Sequence, residues 1–177
     1  MRKTTLVLAI ATAACVNAMA AVSEANVLWQ KGDNDVGVYR IPALCTAPNG
    51  DLVAACDARK IHGGDLNSNQ PINITIRRST DNGRTWSPPV NSWTWTWNND
   101  EHWAGSDPSF IVDKETGKIF LFYNVWECIK QHGIYQFYVQ ESSDNGRTWS
   151  KPRNISSDIA FEGWPFGKPD REGGFIF

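Results

Sequence analysis

A lone guanidinium in an apolar strand is the first sign of chemistry in this chain. Arg40 lies in Val38-Tyr39-Arg40-Ile41-Pro42, and a charge with such neighbours needs a carboxylate, supplied either by a ligand or by a structural Asp. Further on, Ala58-Arg59-Lys60-Ile61-His62-Gly63-Gly64-Asp65 ends in an acid on a Gly-rich loop, where Asp65, close to Asn67 and Asn69, can be simple loop polarity. Asp107, in Gly105-Ser106-Asp107-Pro108-Ser109, has the place of a turn-capping residue before proline, and Trp126 closes an apolar run that suits either core or a pocket wall. Other chemistries find no support. His62, His102 and His132 are scattered without zinc spacing, and neither a nucleophile elbow nor a Gly-rich phosphate loop occurs, so no metal and no cofactor are expected. A net charge of −2, without clustering of basic and aromatic residues, leaves no field for nucleic acid. Any anion must be bound locally.

Strands have to position these groups. Ile41 to Thr46 and Leu52 to Asp57 are apolar runs flanking Pro48-Asn49-Gly50, whose Asn-Gly pair tolerates the positive φ of a tight turn, so they predict a hairpin. Ile72, Ile74 and Ile76 alternate with Asn73, Thr75 and Arg77, and Phe137 and Val139 alternate with Tyr138 and Gln140, as half-buried strands do. Ile119 to Trp126 reads as a more continuously apolar strand. Trp93-Thr94-Trp95-Thr96-Trp97 places three indoles on one face if extended, a face that protein or ligand must cover. No stretch keeps a helical period. The chain reads as all-β, built from sequential antiparallel hairpins.

A nonapeptide repeat organises the hairpins. Ser79-Thr80-Asp81-Asn82-Gly83-Arg84-Thr85-Trp86-Ser87 returns as Ser142-Ser143-Asp144-Asn145-Gly146-Arg147-Thr148-Trp149-Ser150, each copy preceded by a strand and followed by Pro88 or Pro152. Asp81 and Asp144 can accept backbone N–H groups within the turn, Gly83 and Gly146 can turn left-handed, and Trp86 and Trp149 can anchor the turn on the sheet beneath. Ser79, Thr85, Ser142 and Thr148 complete the two motifs. Their role is structural, because a carboxylate repeated at every hairpin is a poor candidate for a unique acid. Repeated units of this size suggest the four-stranded blades of a propeller.

The pattern Ser-x-Asp-x-Gly-x-Thr-Trp resembles the Asp box, or BNR repeat, and Tyr39-Arg40-Ile41-Pro42 resembles the Phe/Tyr-Arg-Ile-Pro motif at the start of bacterial exo-sialidases (neuraminidases). The resemblance implies a six-bladed β-propeller, of which this chain would hold two to three blades, and a retaining exo-α-sialidase that releases terminal sialic acid from glycoproteins, glycolipids or oligosaccharides. It further implies that Arg40 belongs to an arginine triad gripping the sugar carboxylate, that Arg59 lies near the C4 hydroxyl, and that Asp65 is the general acid/base, a role that calls for a raised pKa. Asp107 would face the C4 or acetamido side, and Trp126 would wall the N-acetyl pocket. The alternative is a non-catalytic Asp-box protein that binds carbohydrate or serves as a scaffold.

Two expectations concern the ends of the chain. Arg2 and Lys3, the apolar run Leu6 to Val16 and Ala18-Met19-Ala20 form a secretory signal peptide over residues 1–20, cut after Ala20, which makes the protein secreted or periplasmic and leaves 21–177 as the propeller portion. The rival, a lipoprotein cysteine at Cys15, is disfavoured by Thr12, and no apolar stretch is long enough to span a membrane. Cys45, Cys56 and Cys128 then remain, an odd number that forbids full pairing within one chain, and they are expected to be small buried groups. At roughly 50 to 60 residues per repeat the chain encodes two blades and the start of a third. By resemblance, the nucleophilic Tyr, its Glu and two further arginines belong to later blades, so the expectation is a truncated chain, incomplete and inactive by itself.

Overall fold

The computed structural model describes residues 26–65, 70–97, 102–127 and 135–159. Residues 1–20 with Cys15, and likewise Cys128 and His132, lie outside them. Strands β1 (Val38–Thr46), β2 (Leu52–Arg59), β3 (Ile72–Ser79) and β4 (Val90–Trp93) form one antiparallel sheet in that order. A second antiparallel sheet follows, ordered β5 (Thr96–Trp97), β6 (His102–Val112), β7 (Ile119–Glu127), β8 (Tyr135–Ser142) and β9 (Arg153–Asn154), and one helical turn, α1 (Ser156–Ile159), ends the described chain. Each sheet is a meander, two successive blades of the kind the repeat predicts.

The expected β1–β2 hairpin is present, with Thr46 opposite Leu52. In its turn only Gly50 takes a positive φ, of 91°. Asn49 works through its side chain instead, its Oδ1 accepting the Asp51 amide at 3.1 Å. On β3, Ile72, Ile74 and Ile76 are buried as their spacing requires, and Thr75 on the other face is buried too.

The blades face each other across one apolar layer. Val53, Ala55, Ile74 and Ile76 of the first pack against Ile119, Leu121, Tyr123 and Val125 of the second, so small residues on β2 make room for large ones on β7. Each of the larger aliphatic side chains contributes about 1.5–3 kcal/mol by leaving water. Gly105 on β6 lets this layer close, because a Cβ there would stand 2.7 Å from Cδ1 of Trp93.

Two readings of the aromatic segments change in the fold. The run Trp93 to Trp97 is not one extended face: β4 ends at Trp93, β5 begins at Thr96 in the other sheet, and the chain crosses between blades. Trp93 joins the layer between the sheets, whereas Trp95 packs on a smaller cluster of Ile72, Ala104 and Trp126. On β8 the inward face belongs to Tyr138, which packs on the main core, and to Gln140, whose Oε1 accepts from Tyr123 Oη at 2.9 Å. Val139 turns instead toward an open groove of about 530 Å³ that Phe120, Phe122 and Ile155 also line. Strand alternation fixed the two faces of β8 but not which one met the neighbouring blade.

Each Asp box connects the last two strands of its blade, β3 to β4 in the first and β8 to β9 in the second. In the first, Ser79 Oγ donates to Asp81 Oδ1 at 2.8 Å, and Asp81 accepts the Thr85 amide at 2.9 Å and its hydroxyl at 2.6 Å. The second repeats this with Ser142, Asp144 and Thr148 at 2.8, 2.9 and 2.6 Å. Gly83 and Gly146 have φ of 83° and 79°. The indoles differ: Trp86 Nε1 donates to Gly83 O of its own turn at 3.1 Å, while Trp149 reaches the core layer and packs on Phe110. Across the blades, the Arg78 guanidinium holds Asp51 and donates through Nε to Asn145 O of the second box at 3.0 Å.

These turns predict two measurements. Gly83→Ala costs about 1–2 kcal/mol for left-handed strain. Gly146→Ala costs about 2–4 kcal/mol in urea unfolding, because its Cβ would also lie 2.6 Å from Val53 Cγ2 of the other blade. The Thr85 hydroxyl and amide, then Ser79, hold the Asp81 carboxyl at about 2, and at Asp144 the Thr148 and Ser142 donors outweigh desolvation to the same result. Because these folded values lie below the unfolded 3.8, the stability they confer is complete above about pH 4 and is lost as pH falls toward about 2. The double variant Asp81→Asn, Asp144→Asn should show a flatter acid limb in a pH series of thermal melts.

Candidate functional site

Two matching irregularities shape one end of the interface between the blades. The β1–β2 register shifts between Arg40 and Ala43, and the β6–β7 register shifts between Ser106 and Ser109. At each bulge a residue before proline turns left-handed: Ile41, φ 51°, before Pro42, and Asp107, φ 58°, before Pro108. Residues before proline prefer extended backbone, and a β-branched Ile at positive φ is strained by about 1–3 kcal/mol. Bulges of this kind re-aim the strand. Here they accompany Arg40 and Asp107, two of the residues singled out in the sequence.

Asp57 joins the bulges and is itself fully buried. It lies opposite Arg40 in the β1–β2 ladder, and its Oδ2 accepts from Arg59 Nη2 at 2.8 Å and from Ser106 Oγ at 2.7 Å. Its Oδ1 accepts the Asp107 amide at 3.0 Å, so one carboxylate of the first blade holds the bulge of the second. Burial lifts the Asp57 pKa to about 6, against the pull of Ser106 and Arg59, with Asp107 adding to the rise. Desolvation acts on Arg59 in the opposite sense, but its two carboxylate partners prevail and raise its pKa. A 2.8 Å contact with a hydroxyl and an amide in support is the geometry of an ion pair at neutral pH.

Arg59 carries this order to the Gly-rich loop. Its Nη1 donates to Gly63 O at 3.1 Å and to Asp65 Oδ1 at 2.9 Å. Only 1% of its side chain is exposed: the guanidinium, for which the resemblance implied a place near a sugar hydroxyl, lies beneath the loop and sets its path. Gln70 supports the same loop, accepting the Ile61 and His62 amides at 3.2 and 3.0 Å and donating to Gly64 O at 3.0 Å.

Arg40 and Asp65 meet at the surface of this assembly. Arg40 Nη1 donates to Gly63 O at 2.6 Å and to Asp65 Oδ1 at 3.1 Å. The Arg40 side chain is 39% exposed and that of Asp65 74%. The raised pKa expected of Asp65 is not found. Its hydrogen bond to Arg59, with the charges of Arg59 and Arg40, outweighs the little desolvation it feels and holds the carboxyl below the ordinary range.

The remaining candidates separate. Asp107 is exposed, and its Oδ2 accepts from Asn124 Nδ2 at 3.2 Å. Trp126, for which either core or a pocket wall was expected, is 6% exposed and packs in a small apolar cluster beside Tyr135, ring centres 4.3 Å apart. Tyr135 holds the outer position. Desolvation, and then the charges of Asp107 and Asp65, raise its pKa, which places it within electrostatic reach of both carboxylates. Tyr39 turns away, stacking on Trp29 and donating to Asp33 O at 2.9 Å. Cys45 and Cys56 are free thiols, Cys45 half-buried and Cys56 buried. Asp57 and Tyr135 escaped the sequence reading. A signal for Asp57 existed, since it is an acid in an apolar strand two residues before Arg59, the same anomaly that marked Arg40.

Comparison with known proteins adds a framework. The model of the BNR repeat-like domain matches residues 50–168. A sialidase of Micromonospora viridifaciens is 38% identical over 149 residues, which cover 71% of this chain and 21% of that protein. A sialidase of Bacteroides fragilis strain YCH46 is 26% identical over 151 residues, covering 76% and 27%. Among solved structures, the Hadza microbial sialidase Hz136 superposes with a TM-score of 0.61 at 29% identity, covering 71% of this chain and 27% of its own. The chain thus spans only about a quarter of the length of the relatives it matches.

Asp57→Asn tests the centre of the site. It removes the buried one of Arg59's two carboxylate partners, leaving only the exposed Asp65 to face the buried cation, and should cost about 3–5 kcal/mol in urea unfolding. Asp35→Asn, which breaks the exposed Lys60 pair, should cost nothing measurable.

Proposed function

Since the chain belongs to the BNR repeat-like domain family, as two blades of a sialidase-type β-propeller, we propose that it carries part of the active site of a retaining exo-α-sialidase. The observation that supports this most is the meeting of Arg40 with Asp65 over Gly63. A cation fixed by a bulge, with unfilled donors at Nε and Nη2 among the described residues, suits the carboxylate of a terminal sialic acid, and a carboxyl beside it suits proton delivery to the glycosidic oxygen. In this reading Asp65 gives its proton to the leaving oxygen as the bond to the anomeric carbon breaks. Arg40 meanwhile holds the sugar carboxylate. Asp107 and Tyr135 would border the ring of the bound sugar.

Sialidases use a Tyr nucleophile where most glycosidases use a carboxylate. In this reading Tyr135 borders the ring and is not assigned the attack, so the chain by itself should bind the sugar acid without turning it over. We also propose that residues 1–20 direct export, which would bring the protein to sialylated glycoproteins, glycolipids and oligosaccharides outside the cytoplasm. A second reading, a non-catalytic receptor for acidic sugars, is favoured by one observation: Asp65 is held ionised.

Two measurements test the proposal. Incubated with a fluorogenic sialoside, the purified chain should release no leaving group. In titration calorimetry it should bind N-acetylneuraminic acid, and Arg40→Ala should weaken that binding about 10- to 100-fold, the loss of a charge-assisted contact. Equal affinity with and without Arg40 would refute the site.

A further inference from the structure

An acid that must donate a proton is poorly served by two guanidinium groups. Asp65 Oδ1 lies 2.9 Å from Arg59 Nη1 and 3.1 Å from Arg40 Nη1, and both contacts favour the carboxylate over the acid. The two arginines are not equivalent, however. Arg59 is buried and tied to Asp57, so it stays where it is. Arg40 is open to solvent, and it is the group to which an incoming carboxylate would bind.

We propose that Asp65 is an internal competitor for Arg40: in the resting protein its carboxylate occupies the guanidinium that binds an acidic sugar, and arrival of the sugar carboxylate converts Asp65 into a proton-bearing acid. This rests on the proposed assignment of Arg40 to the sugar carboxylate. The incoming anion either takes Nη1, displacing Asp65, or takes the Nε–Nη2 edge and stands beside it. In both cases Asp65 loses part of its attraction to Arg40, gains a negative neighbour and loses water. All three changes favour the neutral form, and one proton is taken from solvent. The binding of the anion would thus prepare the acid.

Among the described residues, the charged and titratable groups placed around Asp65 include Arg40 on β1, Asp57 and Arg59 on β2, His62 on the loop itself, Asp107 at the β6 bulge and Tyr135 on β8. Of these, Arg40 alone combines contact with Asp65 and a solvent-exposed cation. Tyr135 lies within electrostatic reach of both Asp65 and Asp107, and a sugar ring bound there would shield Asp65 from water.

The experiment follows the Asp65 carboxyl carbon by NMR across a pH series, in the 177-residue chain, with and without saturating N-acetylneuraminic acid. Asp65→Asn serves as the blank that assigns the signal. Three results are expected. In the free protein Arg40→Gln moves the Asp65 pKa upward; in the wild type the ligand moves it upward; and Asp65→Asn binds the sugar acid about two- to fivefold more tightly at neutral pH, the modest value of a partly exposed ion pair. N-acetylmannosamine, which lacks the carboxylate, should produce no shift of the Asp65 pKa. An Asp65 pKa that stays fixed or falls on binding, or an Asp65→Asn chain that binds no better than wild type, overturns the inference while Arg40-dependent binding leaves the site assignment standing. Binding that ignores Arg40, or no binding by either chain, refutes the site assignment and the competitor with it.

Discussion

Everything at the candidate site depends on a buried ion pair, Asp57 with Arg59. Two charges in the interior are costly unless hydrogen bonds satisfy what the pair leaves over. Here Ser106 Oγ and the Asp107 amide satisfy Asp57 from the second blade, and Gly63 O satisfies Arg59 from the loop. The pair therefore does more than neutralise itself. Its unmet valences reach outward in two directions, to the bulge bearing Asp107 and to the loop bearing Asp65, and fix both relative to Arg40, which lies opposite Asp57 in the ladder.

The second constraint is backbone strain in matched places. Ile41-Pro42 and Asp107-Pro108 hold equivalent left-handed bulges on the two adjoining strands β1 and β6. Such conformations persist only where the surroundings over-determine them. Asp57 supplies that determination for the second bulge through the Asp107 amide. The polar site and the irregular backbone are one feature, and the sequence shows it only as two prolines.

At the opposite extreme of the blades the Asp boxes do a different task. Their carboxylates are spent on the Ser, Thr and amide groups of their own turns, and the guanidinium of Arg78 reaches from the first blade to a carbonyl of the second box. Gly146 presses on Val53 because the second box lies directly on the first blade. The repeat is thus nearly identical in sequence but not in duty: Trp86 of the first box bonds within its own turn, whereas Trp149 of the second packs on the layer between the blades.

What the sequence determined by itself was everything that repeats or alternates. Alternation located β3 and β8, apolar runs bounded by turn residues located β1, β2 and β7, the duplicated box gave the turn chemistry and the repeating unit, and the isolated charge at position 40 marked an anomaly in an apolar strand. These are local properties, set by side-chain period, by the conformational freedom of Gly50, Gly83 and Gly146, and by the aversion of a charge to apolar neighbours. What only the tertiary structure decided was which side chains became neighbours across the blades. That Trp126 is core, that Arg59 lies beneath the loop, that β8 presents Tyr138 and Gln140 to the first blade, and that Asp65 is held ionised all follow from contacts between residues far apart in the chain. Burial and Coulomb energy depend on distance in space, and a linear string of residues records that distance only where the fold has already brought the ends together.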